Sequence, residues 1–113
     1  MSFTAQIPYG AYWSTPFAKW QGTLSHLHSV KFGAHVAKME LAKRNISPDV
    51  FDYANLGLTV PQHQSFHGLP WFTGLIGAPD VGGPTISQVC ATGVRCILDA
   101  TQSVEDEMSE VSL

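Results

Sequence analysis

Residues 84–98 read PTISQVCATGVRCIL and contain the transition that decides the fold. The first six residues form a short run bounded by Pro and Gly, so we expect a strand over 84–89. The following residues have side chains at helical spacing, which predicts a helix over 90–104. The positions at that spacing are Ala91, Val94, Ile97, Leu98 and Thr101. Cys90 therefore lies at the junction between the strand and the helix.

A second helical pattern lies upstream, where Val30, Ala34, Ala37 and Leu41 recur on one face. The pattern predicts a helix over 29–44. Ser29 has a side chain suited to the N-cap, and Pro48 lies beyond the other end.

The remaining segments alternate with these two helices. They are predicted strands over 5–13 and 53–59, loops over 14–24 and 61–83, a short helix over 71–76, and the opening of a strand at 110–113. This order predicts the α/β class with a mostly parallel sheet. We expect residues 1–113 to form one domain whose sheet another segment or chain completes.

The composition limits the classes of partner. The chain has 113 residues and a formal charge of −3, and only 13% of its residues are charged, against about 25% in average domains. So little charge predicts a surface that is buried against another layer. The chain is too poor in Lys and Arg for non-specific nucleic-acid binding, and no apolar run approaches the roughly 18 residues of a membrane span. The absence of a signal peptide predicts an intracellular, cytoplasmic protein.

Cys90 is the residue best placed for chemistry. The free amides at a helix N-terminus stabilise a thiolate, and the small residues Ala91 and Gly93 leave room for a substrate. This pattern favours a nucleophile that carries an acyl group, while a buried structural cysteine is the alternative. Cys96 lies about 9 Å further along the helix, beyond the reach of a disulfide with Cys90, and is predicted to be core.

The segment Gln88–Val94, QVCATGV, resembles the nucleophilic-cysteine segment of thiolases, which usually reads VCGSGL or a close variant. Thr15–Leu24, TPFAKWQGTL, is similar to the N-terminal stretch of that family. Phe32-Gly33-Ala34, with the helix that follows, and Gly77-Ala78-Pro79 match two further family segments. These matches occur in the family's order, and they cover the first part of a thiolase, whose whole chain is several times longer.

The resemblance implies the N-terminal part of a five-layered α-β-α-β-α fold. It implies acyl transfer between coenzyme A thioesters, either thiolysis of a 3-ketoacyl-CoA or the reverse Claisen condensation, with Cys90 as the catalytic nucleophile. Coenzyme A is then a substrate, and no bound cofactor or metal is expected. Thiolases are dimers in which the catalytic strand, here Thr85–Val89, pairs across the interface. The expected partners are therefore acyl-CoA, the rest of a thiolase chain or a second subunit, and another copy of the protein.

Three departures from the family pattern stand out. Ser14 replaces the usual Arg, Ala91-Thr92 replaces Gly-Ser, and Gln64–Trp71 stands where the family has QNPARQ. The His of a Gly-His-Pro segment and the second Cys, which complete the family's active site, come from the C-terminal half. Cys96 does not match that second Cys, so we expect the 113-residue chain alone to be inactive.

Two other functions fit the same residues. A ketosynthase of the same superfamily also has a Cys at a strand-to-helix junction, and a thiolase-derived subunit can serve as a structural or interaction piece without catalysis.

His63 and His67 have the i,i+4 spacing of a zinc pair. They lie between Pro61 and Pro70 without a third ligand in the sequence pattern, so loop histidines are the expected interpretation.

Overall fold

The computed structural model describes residues 5–113, which form an α/β arrangement of helices around a small parallel sheet. Within this range there are three α-helices and two short strands. They are α1 (Ser29–Lys43), β1 (Leu56–Gly57), α2 (Gly68–Ile76), β2 (Thr85–Ile86) and α3 (Thr92–Glu105), with 3-10 turns at Pro48–Val50 and Val89–Ala91. The predicted α/β class and the parallel pairing are confirmed.

The sheet is parallel, with Leu56 opposite Thr85 and Gly57 opposite Ile86. Backbone hydrogen bonds extend this pairing on both sides, from Ala54 N–H to Gly82 and from Leu58 N–H to Ile86. On the other edge of β1, Tyr53 forms a parallel bridge with Ser112. The strand expected at 53–59 is thus shorter, Leu56–Gly57, although its neighbours continue the pairing. The strand opening expected at 110–113 is an isolated bridge at Ser112, and Leu113 bonds Tyr53 and Asn55.

Helices lie on both faces of the sheet because neighbouring residues of β1 point in opposite directions. Leu56 faces α2, where a Cβ added to Gly68 would come within 2.9 Å of its Cδ2 atom. Gly57 faces α3, where an added Cβ would meet Thr92 and Cys96. The order of layers is thus α1 and α2, then the sheet, then α3.

The core lies between the sheet and the helices α1 and α2. Leu41 and Leu69 are almost completely buried, and burial of such a side chain contributes about 1.5–3 kcal/mol. The buried cluster consists of Ala34, Ala37, Leu41, Ala54, Leu69, Ile76, Ala78 and Val81. The helical spacing in the sequence identified the α1 members of this cluster.

The N-terminal cap of α1 differs from the prediction. His28 is the N-cap and its Nδ1 atom accepts the Val30 N–H at 3.2 Å, while Ser29 is the first helical residue. Nε2 of the same ring contacts the carbonyl of His63 at 2.8 Å. Because a carbonyl only accepts, the proton of a neutral His28 sits on Nε2.

The predicted strand at 5–13 is wrong, because these residues form no strand. The chain turns at Gly10, which has a φ of +82°, and the Ala11 N–H bonds back to Pro8. Pro8 has no N–H for a sheet ladder. Arg44 binds this segment at the end of α1, donating to the carbonyls of Gly10 at 2.6 Å and Tyr12 at 3.0 Å.

Candidate functional site around Cys90

Cys90 is exposed on the 3-10 turn Val89–Ala91, which joins β2 to α3. The sequence placed this residue at a strand-to-helix junction, and the structure has it there. The strand ends earlier than predicted, at Ile86, and the regular helix begins later, at Thr92. The thiol is thus presented on a tight turn, two residues before the first residue of α3.

The turn holds Val89 in a backbone conformation that its side chain disfavours. Its φ is +51°, in the left-handed region. For an L-residue this region costs roughly 1–2 kcal/mol, and a β-branched side chain is especially rare there. The positive φ directly before Cys90 reverses the chain between the end of the strand and the start of the helix.

The Thr92 hydroxyl bridges the two residues that precede Cys90. It accepts the Gln88 N–H at 2.8 Å and donates to the Val89 carbonyl at 2.7 Å. The Thr92 N–H also donates to that carbonyl. Because Thr92 is only 4% exposed, these hydrogen bonds are shielded from competing water. A single buried side chain therefore binds both residues that precede Cys90.

Gly57 of β1 leaves the space that Thr92 occupies. A Cβ at Gly57 would lie 2.6 Å from Thr92 Cγ2 and 2.8 Å from Cys96 Sγ. Both distances are too short for real atoms, so α3 can sit this close to the sheet only because residue 57 has no side chain. The position of the turn that carries Cys90 consequently depends on a glycine 33 positions earlier in the sequence.

The two cysteines have different environments. Both are free, as the sequence predicted; Cys90 is exposed, whereas Cys96 is half-buried on the side of α3 that faces the sheet. Burial, with a smaller effect from the Asp99 carboxylate, raises the pKa of the Cys96 thiol. Cys96 was predicted to belong to the core; it lies against the sheet but is only half-buried and is not part of the buried cluster.

The N-terminus of α3 is electrostatically suited to an anion. Ala91 is the N-cap residue and has no side-chain acceptor, and the first turn contains no acidic residue. Nothing in that turn therefore offsets the partial positive charge of the free amides. Arg95 lies one turn further and donates from Nε to Gln88 Oε1 at 2.5 Å.

A loop leaves the sheet at the same edge as Cys90. Both strands are parallel, so the segment after β1 and the turn after β2 lie at their carboxyl ends, where α/β proteins bind ligands. The Ser29 N–H donates to Gln62 Oε1 at 2.6 Å, and His28 contacts the His63 carbonyl. These two contacts fasten the loop to the start of α1.

The histidine pair considered for zinc is not on a helix. Residues 63–67 form turns; His67 is the residue before α2, and its ring lies 4.8 Å from that of Phe66. The i,i+4 geometry that brings two imidazoles to one metal is therefore absent from this segment. Among residues 5–113, no three His, Cys, Asp or Glu side chains cluster closely enough to hold a metal ion.

The outer face of α3 is apolar and uncovered. Val94 is 72% exposed and Ile97 is 60% exposed, and Leu98 lies beside them. The side of α3 that contacts the sheet is instead formed by small or polar residues, among them Thr92, Cys96 and Asp99, the last of which accepts the Tyr53 hydroxyl at 2.7 Å. This pattern is the reverse of a surface helix, whose apolar stripe faces the core.

Neither known protein-family models nor curated proteins give a match to this chain. Across the described part of the chain, no helix combines the length and the apolar character needed to cross a membrane.

Proposed function

We propose that this chain is the N-terminal part of a thiolase-type acyltransferase and that Cys90 is its nucleophile. The observation that carries the proposal is the exposed thiol on the turn between a parallel strand and the N-terminus of α3. The resemblance of Gln88–Val94 and Thr15–Leu24 to thiolase segments points to the same chemistry. It also names coenzyme A thioesters as the substrates.

In the thiolysis direction, the Cys90 thiolate attacks the 3-keto carbon of a 3-ketoacyl-CoA, and a sulfur–carbon bond forms. The bond between C2 and C3 breaks, its electron pair takes up a proton at C2, and acetyl-CoA leaves. The thiol of a second coenzyme A then attacks the acyl carbon, loses its proton, and releases the Cys90 thiolate. Backbone amides at the start of α3 are suited to hold the oxygen that becomes negative in each attack.

The uncovered face of α3 supports the five-layered fold. In that fold a helix layer lies between two sheets, and both of its faces are buried. Here one side of α3 contacts the sheet, and Val94, Ile97 and Leu98 point away from it. A second sheet, supplied by the rest of a thiolase chain or by another subunit, would cover these residues. In thiolases, the C-terminal half of the chain also provides the His that activates the nucleophile and the second Cys that transfers protons.

The open edge of β2 supports the expected dimer. In the described residues β2 pairs with β1 on one side only. Its other edge therefore has unpaired backbone groups, which a strand from a second copy can bond. Thiolase dimers pair at the corresponding strand.

The experiment is a coenzyme A-dependent thiolysis assay on the full-length protein with acetoacetyl-CoA as substrate. Cys90→Ala is expected to abolish turnover while the circular dichroism spectrum stays unchanged. Cys96→Ala is the matched control, because it removes the other thiol of this chain without touching the turn, and it should keep activity within a few-fold. Full turnover by Cys90→Ala would overturn the proposal, and so would an inactive but folded wild-type protein.

A further inference from the structure

The turn around Cys90 contains a strained residue and a buried side chain that restrains it. Val89 has a positive φ, which a β-branched residue keeps only where its surroundings impose it. On the strand side, the backbone N–H of Gln88 is bound, and on the helix side, the carbonyl of Val89 is bound. Both bonds go to the same atom, the Thr92 hydroxyl oxygen.

We propose that Thr92 is a positioning residue: its hydroxyl holds the Gln88–Val89 turn in the strained form that presents the Cys90 thiol at the N-terminal end of α3. This inference rests on the proposed function for its consequence in acyl transfer. The geometry itself does not depend on which substrate the thiol attacks.

The two hydrogen bonds act on opposite sides of the strained peptide. The hydroxyl accepts from Gln88, so it limits rotation before Val89, and it donates to the Val89 carbonyl, so it limits rotation after it. A hydroxyl has one proton and two lone pairs, which is sufficient for both roles at once. Valine has the shape of threonine but can make neither bond.

The methyl group of Thr92 has a separate contact. Its Cγ2 atom points at Gly57, where an added Cβ would lie 2.6 Å away. Serine keeps the hydroxyl and loses this methyl, whereas valine keeps the methyl shape and loses the hydroxyl. A comparison of Thr92→Ser with Thr92→Val therefore separates the hydrogen bonds from the packing.

The alkylation rate of Cys90 measures how the turn presents its thiol. Cys90 is exposed, so its reaction with iodoacetamide needs no unfolding. At a fixed pH, its alkylation rate therefore depends on how the turn presents the thiol to the reagent. Cys96 is half-buried, so its alkylation reports loss of packing in the same molecule. A merely structural role for Thr92 would change the alkylation of Cys96 as much as that of Cys90.

The test measures the rate of iodoacetamide alkylation of the full-length protein at pH 7, with both cysteines followed in separate peptides by mass spectrometry. Thr92→Val is expected to slow Cys90 alkylation by about tenfold, since a tenfold change in rate corresponds to about 1.4 kcal/mol, the size of one to two net hydrogen bonds. Thr92→Ser should remain within twofold of wild type, and Cys96 should remain equally protected in all three proteins.

Two results would overturn the inference. One is a Thr92→Val protein whose Cys90 is alkylated as fast as in the wild type. The other is a Thr92→Ser protein as slow as Thr92→Val, which would assign the effect to the methyl group. If Cys96 becomes reactive in Thr92→Val, Thr92→Ala against Thr92→Ser gives the same comparison, because that pair differs by the hydroxyl alone. Loss of the proposed acyl transfer would show in the thiolysis assay and would leave this alkylation difference in place.

Discussion

Single atoms determine how closely α3 approaches the sheet. Gly57 provides the space, and Thr92 fills it with a methyl group while its hydroxyl bonds the turn before Cys90. On the same helix, Cys96 Sγ occupies the other part of that space. An added carbon at Gly57 should therefore displace α3 and lower the free energy of unfolding.

Gly57→Ala should lower the free energy of unfolding by about 1–3 kcal/mol, the usual cost of overpacking. The added Cβ would meet Thr92 Cγ2 and Cys96 Sγ, and both belong to short side chains with little room to move. Gly74→Ala is the control, because an added Cβ there has nothing within 4 Å and lies in α2. It should stabilise by about 0.5–1 kcal/mol. Urea unfolding measures both, and equal effects would contradict the contact at Gly57.

The secondary-structure elements are held by contacts at their ends. The N-cap of α1 is an imidazole that also contacts the loop carbonyl of His63, and the end of α1 is held by Arg44, whose guanidinium lies 5.2 Å from the Trp13 ring centre. The C-terminal segment is bound by Asp52, which accepts the N–H groups of Glu110 and Val111 at 2.9 and 3.1 Å. Each end contact gives a prediction about its own element.

His28→Ala should destabilise the protein by about 0.5–2 kcal/mol or more, because it removes the N-cap acceptor and the contact with His63. His28→Asn should have an intermediate effect, since asparagine can cap the helix but cannot make the contact with His63. Ser29→Ala should have little effect, because Ser29 contributes its backbone N–H. Thermal unfolding of the three variants tests this order. A larger loss of stability for Ser29→Ala than for His28→Ala would indicate that Ser29 is the N-cap.

The contribution of Asp52 to the free energy of unfolding should depend on pH. Hydrogen bonds from the backbone N–H groups of Glu110, first, and Val111 hold the pKa of its carboxyl below the ordinary 3.8. A lowered pKa in the folded state means that the stabilisation is present above the unfolded value and is lost as the pH falls through the folded value. Asp52→Asn should therefore destabilise most at neutral pH.

The measurement for Asp52 is urea unfolding of wild type and Asp52→Asn at neutral pH and below pH 4. The difference between the two proteins should shrink in acid. The control is Asp80→Asn, since Asp80 is exposed on the turn after α2. A difference for Asp52→Asn that is independent of pH would contradict the two backbone hydrogen bonds.

On the scale of the whole molecule, the described chain has one well-buried face and one open face. The core lies between the sheet and α1 with α2, whereas Val94, Ile97 and Leu98 of α3 are exposed together. Contiguous apolar surface on a protein marks a contact with another layer or partner. The proposed second sheet of a five-layered enzyme is such a layer.

Ile97→Asp distinguishes a covered face from a free one. If a second layer covers α3 in the full-length protein, the buried charge should cost more than about 2 kcal/mol. At a free surface the cost stays within about 0.5 kcal/mol. Val50→Asp, at an exposed apolar residue outside α3, is the control. Chemical unfolding of the full-length variants gives both values, and equal small effects would remove the support for the second layer.

The sequence predicted the two long helices closely, because each has apolar residues at helical spacing. The helix expected at 29–44 is α1, and the one expected at 90–104 is α3 with the preceding 3-10 turn. The prediction of a strand at 5–13 was wrong, because Pro8 and Gly10 form a turn that is bound by Arg44. Strand periodicity cannot reveal such a contact with a distant side chain.

The sequence also placed Cys90 at its junction, but it could not give the surroundings. The sequence showed Thr92 only as a departure from the family pattern, and its hydroxyl bonds become visible once the turn has formed. Gly57 carried no signal, because its role depends on how α3 crosses β1. Residues that act through tertiary contacts are the ones that sequence patterns miss.

The most direct test of the central claim is to mix the full-length protein with acetyl-CoA, quench in acid, and analyse the peptides by mass spectrometry. The proposed mechanism predicts an acetyl thioester on the peptide that contains Cys90, absent in Cys90→Ala and discharged by added coenzyme A. An unmodified Cys90 in a folded protein, or an acetyl group that forms equally well on Cys96, would contradict it.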